Sequence, residues 1–111
     1  MVAAYRIGAV VTTVIPGVQD TKARPAIVLA DLGDADLIVA PVTRIGPRSE
    51  YDIPVTQWQS VGLQAACYVR ANKPVTITKS DVRVSVGSLI DPDLENLKNA
   101  LRKFWASALA S

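Results

Sequence analysis

Short apolar segments interrupted by turn residues constrain this chain most, because they occupy nearly all of its first 90 positions. Each segment has the length of one β-strand and is rich in Val and Ile, which favour extended backbone. Gly, Pro and Asp residues separate the segments and predict turns. The predicted strands are 10–15, 26–30, 37–42, 51–55, 65–70, 75–78 and 82–86.

The pattern changes at residue 91, where a helix is predicted to begin. Asp91 is suited to the N-cap, Pro92 to the first helical position, and Asp93 places negative charge in the first turn. Apolar residues then recur at a spacing of three or four and form one stripe: Leu94, Leu97, Leu101, Phe104, Trp105 and Ala108. We expect this stripe to pack on the core, with a partner surface as the alternative.

Together these patterns predict a mainly β fold, in which a small antiparallel β-barrel or curled sheet is closed by a C-terminal helix. The chain has 111 residues, a length typical of one domain, so a single domain over residues 1–111 is predicted. Half of the residues are hydrophobic, which is enough for a packed core.

The sequence contains no histidine, which restricts the possible chemistry. Ser-His-Asp and Cys-His nucleophile systems are excluded, as are nucleases that use paired histidines as acid and base. Histidine metal sites are excluded as well. The single Cys67 can form neither an internal disulfide nor, by itself, a zinc site. No cofactor is expected, and no metal site built on histidine or cysteine.

The net charge of +2 is only mildly basic, but several cations lie in or beside predicted loops. Clustered cations suit a phosphate backbone, although an ordinary charged surface is the simpler interpretation. These residues are Lys22, Arg24, Arg44, Arg48, Arg70 and Lys73. No membrane span or signal peptide is predicted, and the cytoplasm is the expected compartment.

A series of short strings, in order, resembles the MazF/PemK-like toxins over most of the chain. Arg24 and Pro25 precede an apolar run, as in that family's R-P-x-[IVL]-[IVL] strand. The run that ends in Pro41, Val42 and Thr43 resembles its I-V-x-P-[IL]-T strand. The remaining similar segments are 6–11, 51–63, 68–74 and 87–94.

This resemblance implies an SH3-like barrel with a C-terminal helix and a two-fold homodimer. It also implies metal-independent, sequence-specific cleavage of single-stranded RNA such as mRNA, and inhibition by a cognate antitoxin. DNA binding by the toxin–antitoxin complex is a further implication. The positions that match the family's catalytic pair are Arg24 and Thr43. A planar guanidinium can grip two phosphate oxygens, and a hydroxyl can donate to one.

The same resemblance suggests residues that would bind the RNA substrate. Arg70 matches a family arginine near the RNA path, although a strand-end arginine paired with a carboxylate is an equal alternative. The other candidates are Asn72, Lys22, Arg44 and Arg48. The loops 16–23 and 45–50 flank the catalytic pair and are expected to contact RNA. Trp58 could stack on a base, but a core position beside Leu63 is favoured.

Two departures from the family pattern leave alternatives open. Ala9 replaces an aspartate in the first strand, and Asn72 replaces the acid that often follows Val-Arg-x. Asn72 cannot take a proton at neutral pH. Asp20, Asp52 or Glu50 could compensate. The alternatives to a ribonuclease are an attenuated toxin that binds antitoxin, and a non-enzymatic toxin that contacts a protein such as gyrase through the Trp105 region.

Overall fold

A computed structural model describes residues 4–17 and 22–111 of the chain. Its strands are β1 (Ala9–Thr13), β2 (Arg24–Ala30), β3 (Asp36–Thr43), β4 (Asp52–Pro54), β5 (Tyr68–Arg70), β6 (Val75–Thr78) and β7 (Val84–Ser88). A short 3-10 helix spans Lys79–Asp81, and the C-terminal helix α1 spans Asp93–Ala110.

All recorded strand pairs are antiparallel, and the strands follow the order β4-β5-β3-β2-β1-β7, with β6 also paired to β3. The prediction of a mainly β fold with a C-terminal helix is confirmed. Among the described residues, the path ends at β4 on one side and β7 on the other, so the sheet is curled rather than continuously hydrogen-bonded around a barrel.

Several predicted strands are too long or shifted. The strand predicted at 65–70 is reduced to Tyr68–Arg70, and the residues before it belong to turns that connect β4 to β5. The strand predicted at 82–86 begins at Val84, because the 3-10 helix ends with the N–H of Val82 bonded to the carbonyl of Lys79. Strand ends depend on long-range pairing, which the local pattern does not contain.

Strand β3 changes partners along its length, and this change positions the site described below. Its residues 36–39 pair with β6, whereas Val42 and Thr43 pair with β5. Pro41 lies between the two partners and faces Ala26 of β2 on the other side. A proline, which lacks an N–H, is tolerated where the ladder is interrupted. The C-terminal end of β3 is therefore directed towards β5.

The alternation of side chains gives the sheet two covered faces. One face packs against Leu97 and Ala100 of α1 and forms the larger core, which includes Val10, Ile27, Ala40, Val55, Val61, Val69 and Ala71. The other face forms a smaller core of Val11, Ile15, Ala26, Val28, Leu37, Val39 and Ile77. Residues that alternate with the first set therefore lie on the side of the sheet away from α1.

The apolar stripe of α1 is only partly used in the core. Leu97 is fully buried, and Leu94 and Leu101 pack against the larger core, as predicted. The last turns extend beyond the sheet, where Trp105 is 50% exposed and Leu109 is 83% exposed. Phe104 is half-buried and makes edge contacts with the rings of Tyr51, at 5.7 Å between centroids, and Trp105, at 5.0 Å.

The helix start differs by one position from the prediction. Helix α1 begins at Asp93, with Pro92 at the N-cap. Asp91 still serves the first turn, because its Oδ1 accepts the N–H of Glu95 at 3.2 Å. Asp93 is buried and accepts hydrogen bonds from the Thr56 hydroxyl, at 2.7 Å, and the Gln57 N–H, at 3.0 Å. It therefore ties the helix to the connection that follows β4.

A buried carboxylate also fastens the opposite end of the β2–β3 hairpin. Asp31 forms an ion pair with Lys79, at 2.8 Å. It also accepts the backbone N–H groups of Ala4, Tyr5 and Gly33. The hydrogen bond from Lys79, reinforced by these N–H groups, holds the pKa of Asp31 well below its usual range, although desolvation opposes the shift. Ionised Asp31 therefore joins three segments of the chain.

The ion pair and hydrogen bonds of Asp31 predict that the stability of the fold is sensitive to acid. Because the folded state lowers the pKa of Asp31, its stabilisation is complete above the unfolded value of about 3.9 and is lost as the pH falls towards the folded value. We expect the urea concentration at the unfolding midpoint to decrease as the pH drops below about 4. The Asp31→Asn variant should have a lower midpoint at neutral pH and a smaller decrease in acid. Asp34→Asn, in the same turn, should retain the decline. An unchanged acid slope in Asp31→Asn would contradict this assignment.

Candidate functional site

Arg24 and Thr43 lie at the same end of the β2–β3 hairpin. Arg24 is the first residue of β2, and Thr43 is the last residue of β3. The recorded β2–β3 pairs end at Ala26 and Pro41, two residues short of both. Arg24 lies two residues before Ala26, and Thr43 lies two residues after Pro41. Residues two apart in a strand point to the same face, so both side chains lie on the face away from α1. The structure therefore places the predicted catalytic pair at one end and on one face of the sheet.

Thr43 is held by a turn that uses its own hydroxyl. Its Oγ1 accepts the N–H of Ile45 at 3.1 Å and lies 3.2 Å from the Ile45 carbonyl, to which it donates. Such side-chain turns are typical of Thr at the end of a strand. The hydroxyl is half-exposed and needs only a rotation about its C–O bond to donate elsewhere.

Arg70 reaches the same carbonyl from β5. Its Nη2 donates to the Ile45 oxygen at 3.5 Å, a long hydrogen bond. The recorded ion pairs of the described residues do not include Arg70, so the alternative of an arginine paired with a carboxylate receives no support there. Arg70 lies two residues after Tyr68, the direct cross-strand partner of Thr43. Arg70 and Thr43 thus share both a face and an acceptor.

A buried carboxylate shapes the loop between β3 and β4. Asp52 is 5% exposed, and its Oδ2 accepts the N–H of Arg48 at 2.8 Å. Its own N–H donates to the carbonyl of Ser49. Gly46 lies beside it, since a Cβ added there would be 3.3 Å from Oδ2 of Asp52. The loop after Thr43 is therefore held in place by hydrogen bonds at both of its ends.

The remaining predicted RNA-binding cations are exposed around this loop, where Arg44 follows Thr43 and Arg48 precedes Asp52. Lys22 is exposed just before β2. Asn72 is half-buried two residues after Arg70. The loop predicted to contact RNA at 16–23 includes residues 18–21, which lie outside the described residues. Asp20, one of the proposed compensating acids, is among them.

The other two proposed compensating acids are engaged in contacts of their own. Asp52 holds the loop, as described above. Glu50 forms an exposed ion pair with Lys103 of α1, at 2.7 Å, which raises the pKa of Lys103. A surface pair of this kind contributes little to stability, but it shows that Glu50 points to the helix side.

Cys67 and Trp58 belong to the helix side of the sheet. Burial raises the pKa of the Cys67 thiol, although the charge of Arg44 opposes this shift. A buried thiol of raised pKa is a poor nucleophile at neutral pH. Trp58 packs against the larger core, as the favoured interpretation predicted. Neither side chain belongs to the surface around Thr43.

The sequence did not single out Tyr68, and it offered Asp52 only as a possible acid. Tyr68 is the direct partner of Thr43 across β3 and β5. Both residues reach the site through the register of β5, in which Asp52 pairs with Arg70 and Pro54 pairs with Tyr68. A one-residue shift of so short a strand would reverse its faces, and the sequence alone does not fix that register.

A model of the PemK-like, MazF-like toxins of type II toxin–antitoxin systems matches residues 6–105. The chain belongs to this family. The match covers the complete hairpin with Arg24 and Thr43, the loop after β3, and α1 through Trp105. The family resemblance found in the sequence is thereby confirmed. No curated protein matches the chain.

Solved structures of two MazF toxins and of an endoribonuclease share the fold. An endoribonuclease from a mycobacterial species, in complex with its cognate antitoxin, superposes with a TM-score of 0.76 at 17% identity, covering 93% of this chain and 96% of that one. The Mycobacterium tuberculosis toxin MazF-mt6 gives 0.70 at 22% identity, covering 88% and 96%. MazF from Deinococcus radiodurans gives 0.70 at 15% identity, covering 96% and 99%. At these identities the likeness establishes the fold.

Within residues 4–17 and 22–111, no three His, Cys, Asp or Glu side chains are grouped as metal ligands. None of the helices in these ranges is both long enough and apolar enough to cross a membrane. The chemistry that the described surface offers is that of guanidinium and hydroxyl donors beside a fixed loop.

Proposed function

We propose that this chain is the toxin of a type II toxin–antitoxin pair and cleaves single-stranded RNA, including mRNA, at specific sequences in the cytoplasm without a metal ion. The observation that carries the proposal is the placement of Arg24 and Thr43 at one end of the β2–β3 hairpin, within a chain that belongs to the PemK/MazF-like family. Arg70, which shares the Ile45 carbonyl with Thr43, adds a second guanidinium.

The proposed reaction uses the 2′-hydroxyl of RNA as the nucleophile. Its oxygen attacks the adjacent phosphorus, the bond from phosphorus to the 5′-oxygen breaks, and the 2′-hydroxyl proton is lost while the leaving oxygen gains one. The products are a 2′,3′-cyclic phosphate and a 5′-hydroxyl. Arg24 holds the phosphate oxygens, whose charge increases in the transition state. Donors fixed before the reaction lower its barrier most.

Arg70 can replace Thr43 as the hydrogen-bond donor to the Ile45 carbonyl. When the Thr43 hydroxyl rotates towards a phosphate oxygen, it leaves the carbonyl to which it donated. The guanidinium of Arg70 already donates to that same oxygen and can keep it satisfied. Losing one hydrogen bond costs less free energy when the carbonyl keeps a second donor than when it is left unpaired. In this proposal Thr43 contacts the substrate, while Arg70 supports the turn and adds positive charge.

The proposal is tested by incubating the purified protein with mixed single-stranded RNA in EDTA. We expect discrete fragments with 2′,3′-cyclic phosphate ends, and mapping these ends gives the cleavage motif. An Arg24→Ala preparation purified in the same way should give about 100-fold less product or lower still, whereas a contaminating nuclease would cleave equally in both preparations. Intact RNA at high protein concentration would contradict the proposal, as would equal cleavage by both preparations.

The proposed partners are a cognate antitoxin and a second copy of the chain. A structural relative was solved with its antitoxin, which supports the first partner. A small domain benefits from additional burial, and the exposed Trp105 and Leu109 offer apolar area at the end of α1. Sedimentation at micromolar concentration should give a dimer, and a monomer would contradict this part of the proposal.

An attenuated toxin that binds antitoxin is the second candidate, and Asn72 is the observation that favours it. Asn72 occupies the position of a family acid, and the nearby carboxylate of Asp52 is already used by the loop. We expect Asn72→Asp to raise the cleavage rate by about tenfold or more, because general base catalysis contributes about 100-fold or more. Asn72→Ser is the matched control. Equal rates in all three proteins would show that this position does not limit the reaction.

A further inference from the structure

Tyr68 lies beside the proposed catalytic pair on the same face of the sheet. In β5 it is the direct cross-strand partner of Thr43 on one side and of Pro54 on the other. Direct partners share a face, with Cβ atoms about 5 Å apart. The tyrosine ring is therefore adjacent to the hydroxyl that the proposed reaction uses, and Arg70 follows it on the same face two residues later.

The loop after β3 supports this ring from one side. A Cβ added to Gly46 would lie 3.2 Å from Cδ2 and 3.4 Å from Cγ of Tyr68. The backbone of Gly46 therefore packs against the ring, and Asp52 fixes the same loop through Arg48. Tyr68 is half-buried, so part of the ring remains exposed after this packing. An aromatic ring held in this way loses little freedom when a flat ligand stacks on it.

Charge around the ring fits a nucleotide rather than a purely apolar ligand. Arg48 is exposed on the adjoining loop, and Arg70 lies on the same face two residues further along β5. Proteins bind unpaired bases by stacking them on aromatic side chains while cations hold the backbone. Among the aromatic residues of the chain, Trp58, Phe104 and Tyr51 belong to the packing on the helix side.

We infer that Tyr68 forms a base-binding subsite, on which an unpaired nucleobase next to the cleaved phosphate stacks. This inference rests on the proposed ribonuclease function and adds a residue that determines which sequences are cut. Stacking orients the nucleotide so that its phosphate meets Arg24 and Thr43 together. Tyr68 is thus a specificity and positioning residue for the reaction at Thr43.

The test uses an RNA that contains the mapped cleavage motif, made uncleavable by a 2′-O-methyl group at the cleaved position. The fluorescent base 2-aminopurine replaces, in turn, each base that flanks this position. Wild-type protein should quench the fluorescence at one position, and Tyr68→Phe should do the same because the ring is kept. Tyr68→Leu should abolish the quenching and weaken binding by about 10- to 100-fold.

Two further variants separate stacking from folding. Tyr5→Leu is the matched control, because Tyr5 is also half-buried but lies at the opposite end of the hairpin, where its N–H bonds to Asp31. It should bind and quench as the wild type does. Gly46→Ala presses a methyl group against the Tyr68 ring and should alter the quenching and the relative cleavage of related motifs, with thermal unfolding close to that of the wild type.

The outcomes distinguish this inference from the proposed function. Wild-type cleavage together with unchanged binding, quenching and motif in Tyr68→Leu would overturn the base subsite and leave the ribonuclease intact. A wild-type protein that neither cleaves nor binds RNA would overturn both. Equal losses in Tyr68→Leu and Tyr5→Leu would assign the effect to folding and would also overturn the subsite.

Discussion

Arg24→Ala is expected to reduce RNA cleavage by about 100- to 1000-fold, the range seen when one preorganised donor to a developing oxyanion is removed. Arg24 begins β2 and is exposed, so the variant should fold normally and keep its circular dichroism spectrum. Single-turnover rates on an RNA with the mapped motif measure the effect on the chemical step directly.

Two controls make the Arg24 result specific. Arg102→Ala removes an equal charge from α1, where Arg102 contacts Asn99 and Glu95, and should cleave at the wild-type rate. Arg24→Lys keeps the charge but loses the planar fork, and should recover only part of the activity. A loss in Arg102→Ala as large as that in Arg24→Ala would indicate general electrostatic attraction of RNA rather than a catalytic contact.

The position of Arg24 and Thr43 could be predicted because both are defined by local signals. Each stands at the edge of an apolar run, and strand ends on one hairpin come together whenever the two runs pair antiparallel. The family resemblance then selects these two from the other loop residues. The fold class followed from the same local information, since strand-length runs and a helical stripe are visible in the sequence.

The contacts that support the site could not be predicted, because they join residues distant in the sequence or depend on a short register. Arg70 meets the Ile45 carbonyl across 25 positions. Tyr68 meets Thr43 only because β3 changes partners at Pro41 and the short β5 aligns by a particular register. The sequence assigns the N-cap to Asp91 and only a first-turn charge to Asp93, whereas in the structure Asp93 is the buried acid that bonds to the β4–β5 connection.

The difference between these two aspartates predicts unequal effects on stability. Asp93 is 1% exposed and accepts two hydrogen bonds, from the Thr56 hydroxyl and the Gln57 N–H. Bonds to a charged group contribute about 1.5–3 kcal/mol each. Since Thr56 and Gln57 are themselves exposed and can rebind water, we expect Asp93→Ala to lower the free energy of unfolding by about 2–4 kcal/mol.

Asp91→Ala is the matched control, because it removes the same side chain two residues earlier. Asp91 is exposed and makes one bond, to the N–H of Glu95 at 3.2 Å, so its loss should lower the free energy of unfolding by about 1 kcal/mol or less. Urea denaturation of both variants and of Asp93→Asn measures the effects, and Asp93→Asn should fall between them because its amide oxygen still accepts a bond. Equal losses in the free energy of unfolding for Asp91→Ala and Asp93→Ala would contradict this prediction. Both acids would then act only through the helix dipole, and the bonds from Asp93 to the β4–β5 connection would add no stability.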